Sequence, residues 1–125
     1  MTEKIRVVPN GGLEAAPPTA GMTRSTAFAS ETLWMGEVHT EPEAISGWHH
    51  HGEYTTYGYV VAGGIRFEFG PGGRESVEAR PGDFFVVPPG TVHREGNPGS
   101  DEQILVGVRI GQGPTVINVD GPDPA

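Results

Sequence analysis

These 125 residues predict an all-β domain, a sandwich or barrel of many short strands. Three observations lead there. Glycine and proline, 20 and 12 of them, interrupt the chain too often for long helices. Between those interruptions lie short runs rich in β-branched and aromatic residues, several with strict two-residue alternation. Turn signals (GG, GPGG, PGD and PPG) separate the runs at close spacing, which is the pattern of an all-β sandwich or barrel.

KIRVV (4–8) reads as a short β-type run closed by PNGG, and residues 11–30, rich in Ala, Pro, Thr, Ser and Gly, as an extended arm or loop over the surface. TLWMGEVH (32–39) alternates as a strand, with Leu33, Met35 and Glu37 on one face and Trp34, Gly36 and Val38 on the other. EPEAISG (41–47) connects it to GWHHHGEYTTYGYVVAGG (47–64), whose TTYGYVVA (55–62) is β-branched and aromatic. IRFEF (65–69) places Ile65, Phe67 and Phe69 on one side, GPGGR (70–74) turns the chain, and ESVEA (75–79) returns. PGD (81–83) turns again, and FFVV (84–87) is a wholly apolar strand stopped by PPG. REGNPGSDE (94–102) reads as a loop, ILVGVRI (104–110) and PTVINV (114–119) as closing strands, and DGPDPA as a tail. The expected division is an edge strand and arm over 1–30, a barrel over 31–120 and a tail over 121–125.

Composition narrows the function classes. A net charge of −8, with one lysine among eight basic residues, speaks against a nucleic-acid surface or an anionic membrane as partner. No cysteine is present, so disulfides, thiolate metal sites and thiol nucleophiles are excluded, and a metal would take nitrogen and oxygen ligands. MTEKIRVVPN carries no apolar core of signal-peptide length, which makes a cytoplasmic location the simplest expectation.

Two stretches carry chemistry. GDFFVVPPGTVHREGN (82–97) holds Gly82, Pro88, Gly90, His93 and Asn97 in the pattern G-x5-P-x-G-x2-H-x3-N. It resembles the second motif of the cupin superfamily at every fixed position. The histidine triplet resembles the first motif, G-x5-H-x-H-x4-E-x6-G, with His49, His51 and Gly63 in place. Two positions depart: Glu43 stands where the motif has its leading glycine, and Thr56 where it has its glutamate.

The resemblance implies a jelly-roll barrel, a double-stranded β-helix, holding one divalent metal (Fe, Mn, Ni, Cu or Zn) on His49, His51 and His93. Strand alternation independently allows His49 and His51 to converge while His50 points away. His39 reads as an ordinary strand-end histidine, Glu95 as a loop acid or a partner of a ring N–H, and Glu53 as an acid in the turn before the next strand, within reach of the site. Without a carboxylate, three neutral ligands leave the full metal charge, which favours an anionic, chelating ligand. Thr56, Glu53 and Phe67 are the expected substrate contacts, with Phe69 and FFVV as further apolar wall and Trp48, Tyr54 and Tyr57 as rim. If Thr56 faces inward, Tyr57 and Tyr59 face outward and need cover, so a homodimer is expected, with KIRVV as an edge strand added to the neighbour.

The function this implies is metal-dependent chemistry on a small molecule. An oxidoreductase, dioxygenase-like, follows from a redox metal; a hydrolase, isomerase or lyase follows from zinc. The rival is a non-catalytic module that binds a small molecule or a metal.

Overall fold

The computed structural model describes residues 4–124 and folds as a double-stranded β-helix of eleven strands. They are β1 (Glu14–Thr19), β2 (Met22–Ala29), β3 (Leu33–Thr40), β4 (His49–His50), β5 (Thr55–Ala62), β6 (Ile65–Phe69), β7 (Glu75–Ala79), β8 (Phe84–Val87), β9 (His93–Gly96), β10 (Gln103–Ile110) and β11 (Ile117–Asn118). One sheet has the order β1-β2-β3-β10-β5-β8 and the facing one β11-β4-β9-β6-β7, all neighbours antiparallel. No helix among the described residues is long and apolar enough to cross a membrane.

Val60, Ile65, Phe67, Ala79, Val87 and Leu105 form the buried core between the sheets at one end of the barrel, flanked by Val38, Phe69 and Phe85. Alternation produces it: β6 buries Ile65 and Phe67 and exposes Arg66, as the sequence pattern requires. The six-stranded sheet keeps a regular register on its inner face. Trp34, Arg109, Thr56 and Val87 form one transverse row across β3, β10, β5 and β8, and Gly36, Gly107, Gly58 and Phe85 form the next. The three glycines leave room for rings. A Cβ on Gly36 would meet the Trp34 indole at 2.9 Å, and one on Gly58 would collide with Phe85.

Four expectations are overturned. Residues 11–30 are not a loop: β1 and β2 form a hairpin that extends the six-stranded sheet. Proline hid β1, yet β1 is the outermost strand, and Pro17 and Pro18 sit where the pairing slips between Ala16 and Thr19. An edge tolerates the missing N–H groups there. KIRVV, in contrast, forms no strand in the described chain; Ile5 is 98% and Val7 83% exposed, and Arg6 lies over the Phe28 ring. High β propensity without a paired neighbour does not make a strand. REGNPGSDE also begins as strand, since β9 runs to Gly96. The segment after Val119 is seated rather than trailing: Gly72 N–H donates to the Asp123 carbonyl and Arg74 to that of Pro124. Residues 1–3 and 125, the outer ends of the expected arm and tail, lie outside the described residues.

Candidate metal centre

The five-stranded sheet brings the histidines together. β4 and β9 pair at a single position, His49 opposite His93, which sets their rings 4.4 Å apart between centroids. His51, two residues on, has its ring 4.9 Å from that of His49 and 5.2 Å from that of His93. All three are buried. The turn delivering His93 needs Gly90 in the left-handed region, at φ +68°, and Gly90 N–H ties it to the Gly52 carbonyl in the loop after His51.

The backbone settles which nitrogen each imidazole offers. His49 Nδ1 lies 2.8 Å from the Gly47 carbonyl, His51 Nδ1 2.7 Å from that of Thr115, and His93 Nδ1 2.8 Å from that of Thr91. A carbonyl only accepts, so each Nδ1 carries a proton, and in a neutral ring the lone pair then sits on Nε2. His93 Nε2 is buried and has no hydrogen-bond partner, as a ligand atom awaiting a cation would be. Burial holds the His51 imidazole down at about 3 against an ordinary 6.5, and burial also pushes His93 down. Both are therefore neutral near pH 7, the state that binds a metal.

Glu95 is the fourth candidate donor. It sits two residues past His93 on β9, and its Oε1 is 3.8 Å from His49 Nε2. One atom from each of His49, His51, His93 and Glu95 falls within 4.8 Å of the others. The rule that pairs His49 with His51 would have paired His93 with Glu95, had HREG been recognised as strand. With this carboxylate beside the imidazoles, a cation held here would not keep the full +2 charge expected from three neutral ligands. Three imidazoles and one carboxylate fit a divalent cation.

Thr56 faces the same interior, with its Oγ1 buried and without a partner. Glu53 does not join the site; it is exposed in a turn, its carboxylate near Gly113. A turn ahead of β5 points its side chain to solvent, so this expectation is corrected. Phe67 is buried behind the site, its ring 6.0 Å from that of His93 and 5.0 Å from that of Phe85, and it packs as core. Of the rim residues, Trp48 lies beneath Arg94 on the outer side, Tyr54 is buried against Gly111, and Tyr57 faces outward. His50 accepts from Gly52 N–H, and His39 stands apart between Glu37 and Glu102 at 3.1 Å from each.

A cavity of about 480 Å³ opens onto His49, His51 and Glu95. The β1–β2 hairpin, the connection 44–47 and the segment 115–118 wall its mouth, and Arg24 and Arg109 line it. A deeper recess continues past Arg109 and Thr56 to Trp34, Val38 and Phe85. Arg24 and Arg109 were not anticipated as site residues. Arg24 lay in the presumed arm, and Arg109 in a strand lacking any motif.

The two motif departures have different outcomes. At Thr56 the motif's carboxylate is absent, and Glu95 brings one to the cluster from β9 instead. Glu43 keeps the backbone of the missing glycine, with φ +65°, as the one non-glycine residue at positive φ in the described chain. Its N–H donates to the Asn97 carbonyl, and Asn97 returns a bond to Ala44. Asn97 Nδ2 also donates to the Thr40 and Asp101 carbonyls, which anchors the turn after β9.

Comparison with known proteins agrees with this architecture. No curated protein matches the chain in sequence. An uncharacterized conserved protein with a double-stranded β-helix domain from Klebsiella pneumoniae superposes with a TM-score of 0.70 at 20% identity, covering 94% of this chain and 98% of that one. KdgF from Halomonas sp. gives 0.69 at 22% identity over 86% and 96%. A mutant of Bacillus subtilis oxalate decarboxylase gives 0.68 at 20% identity, over 82% of this chain but 29% of that one. The same decarboxylase has been described with Mn(II) centres. A family model described as a cupin domain matches residues 36–108, more than half of the sequence and both histidine motifs, and the chain belongs to that family.

Proposed function

We propose that this cupin is a metal-dependent enzyme acting on a small, anionic, chelating organic molecule. The observation that carries the reading is the convergence of His49, His51, His93 and Glu95 at the wall of a cavity large enough for such a molecule. A bound divalent cation would supply Lewis-acid polarisation of ligand oxygens and, if redox-active, electron transfer. The protein's own part is to present neutral Nε2 donors, hold them by backbone carbonyls and shield the recess with Trp34 and Phe85. Oxidoreductase chemistry of the dioxygenase kind follows from iron, manganese, copper or nickel; hydrolysis, isomerisation or elimination follows from zinc. The similarity to an oxalate decarboxylase with Mn(II) centres supports manganese and an organic acid.

One observation favours the non-catalytic alternative. Outside the metal cluster, the cavity is lined by no carboxylate, histidine or tyrosine to move a proton. Elemental analysis of protein purified without an affinity tag, followed by oxygen-uptake and product assays with hydroxy acids and diketones, separates the two. Stoichiometric metal with turnover supports the enzyme. Tight ligand binding without turnover supports the module, and a protein that takes up no divalent cation removes the metal-dependent enzyme and leaves only a metal-free small-molecule binder. The proposal keeps a cytoplasmic homodimer as its setting, the exposed Tyr57, Phe84 and Val86 offering the contact face.

A further inference from the structure

Arg109 is a half-buried cation that feels the charge of Glu95 but forms no ion pair with it. Its Nε is enclosed and makes no hydrogen bond, and none of the ion pairs among the described residues includes it. Arg24, the other arginine of the cavity, is engaged with Thr19 Oγ1 and the Met22 sulfur. Directly across the strand pair from Arg109 stands Thr56, whose buried hydroxyl is also without a partner. Burying such groups unpaired is costly, so two neighbouring orphans on one cavity wall mark a place where a ligand completes the bonding.

Charge points the same way. The chain carries −8 overall, yet this cavity sets two arginines against the single acid Glu95, which the metal cluster already employs. A divalent cation would make the interior more positive still. Beside Arg109 the floor is flat and apolar, since the glycine row lets Trp34 and Phe85 lie across the sheet.

We propose that Arg109, with the Thr56 hydroxyl beside it, is a carboxylate-binding subsite, and that the ligand is a flat organic acid whose oxygen donors reach the metal while its carboxylate meets the guanidinium. This rests on the reading that the cluster holds a divalent cation. A guanidinium suits the role because its fork meets both oxygens of a carboxylate, with a hydroxyl free to add a third bond.

The test compares 3,4-dihydroxybenzoate with catechol by calorimetry on zinc-loaded protein, zinc being redox-silent. Both probes offer the same chelating pair of oxygens, and only the first has a carboxylate. Wild type is expected to prefer the acid by roughly 10- to 100-fold. Arg109→Gln is expected to remove that preference while leaving catechol affinity unchanged, which also shows that the variant is folded and loaded. Equal affinity of wild type for the two probes overturns the subsite. So does an undiminished preference in Arg109→Gln, which would make Arg109 a mere counter-charge to Glu95. If Arg109→Gln does not fold, Arg109→Lys decides, since a point charge without the fork should lose about tenfold of the preference and an intact preference overturns the assignment. Catechol reports the metal by itself: if loaded wild type binds neither probe, the chelation reading falls together with the subsite.

Discussion

The two walls of the barrel interior are built on opposite principles. On the metal side, the strands are brief, two residues in β4 and four in β9, and the donors are fixed by carbonyls of neighbouring turns and loops. On the facing side, β2, β3, β5 and β10 each run eight residues in near-continuous register. There, position follows from the pleat alone: rows of side chains alternate with a row of glycines. The first wall sets where individual atoms lie, and the second sets the shape of the space. The residues that would bind a cation and the surface that would select its ligand are thus separable, and substitutions should divide accordingly.

The largest effect belongs to the donor wall. His93→Ala should weaken zinc or manganese binding by at least ~100-fold and remove the metal's contribution to thermal stability, as read by competition titration and melting with and without the ion. An unchanged affinity would dissolve the distinction between the walls.

Acid should act on the same side. His51 is held near 3 in the folded chain but titrates at 6.5 when unfolded. Below pH 6.5 the unfolded state therefore takes up a proton that the folded state refuses. Stability is lost as pH falls and is unaffected above that range. Between pH 6.5 and 5 the metal-free protein should lose about 2 kcal/mol from this group, measurable by urea unfolding at each pH. A flat profile there would show that His51 is not enclosed.

The shape wall should respond to volume. Gly58→Ala forces a methyl group into the Phe85 ring and should cost ~1–3 kcal/mol, whereas at Gly107 the nearest atom to a new Cβ is Trp34 at 3.7 Å, and Gly107→Ala should be neutral or stabilising by a few tenths. Equal melting shifts for the pair would contradict the packing of the glycine row. Away from both walls, Glu43→Gly relieves a left-handed residue and should stabilise by ~1 kcal/mol in urea unfolding, with metal affinity unaltered.

The metal wall was the more legible in the sequence, because turn chemistry leaves fixed spacings: Pro88, Gly90, His93 and Asn97 hold one turn and its anchor, and spacing alone reveals them. Glu95 was concealed by its neighbours, since a charged tetrapeptide ending in glycine has little strand character, and pairing with β4 and β6 makes it one. The facing wall left weaker traces. Its β5 and β8, like β6 and β7 of the metal wall, were bounded to the residue by alternation and turn signals, but their arrangement was not. The cross-strand row that gathers Gly36, Gly58 and Gly107 depends on register between strands far apart in the chain, which local pattern does not encode. β1 and β2 were obscured for the same reason, small and proline-containing residues acquiring strand form only from the sheet they join.

The bond from His51 Nδ1 to the Thr115 carbonyl spans 64 positions. A nascent chain extended only to Arg109 would already contain all four donor side chains, yet the proton on His51 would be free to occupy either nitrogen. The ring is locked only once the later segment threads alongside it and Ile117 and Asn118 join His50 and His49. The nitrogen that His51 turns towards the cluster is thus set from outside the two histidine motifs, by a segment that follows the last long strand.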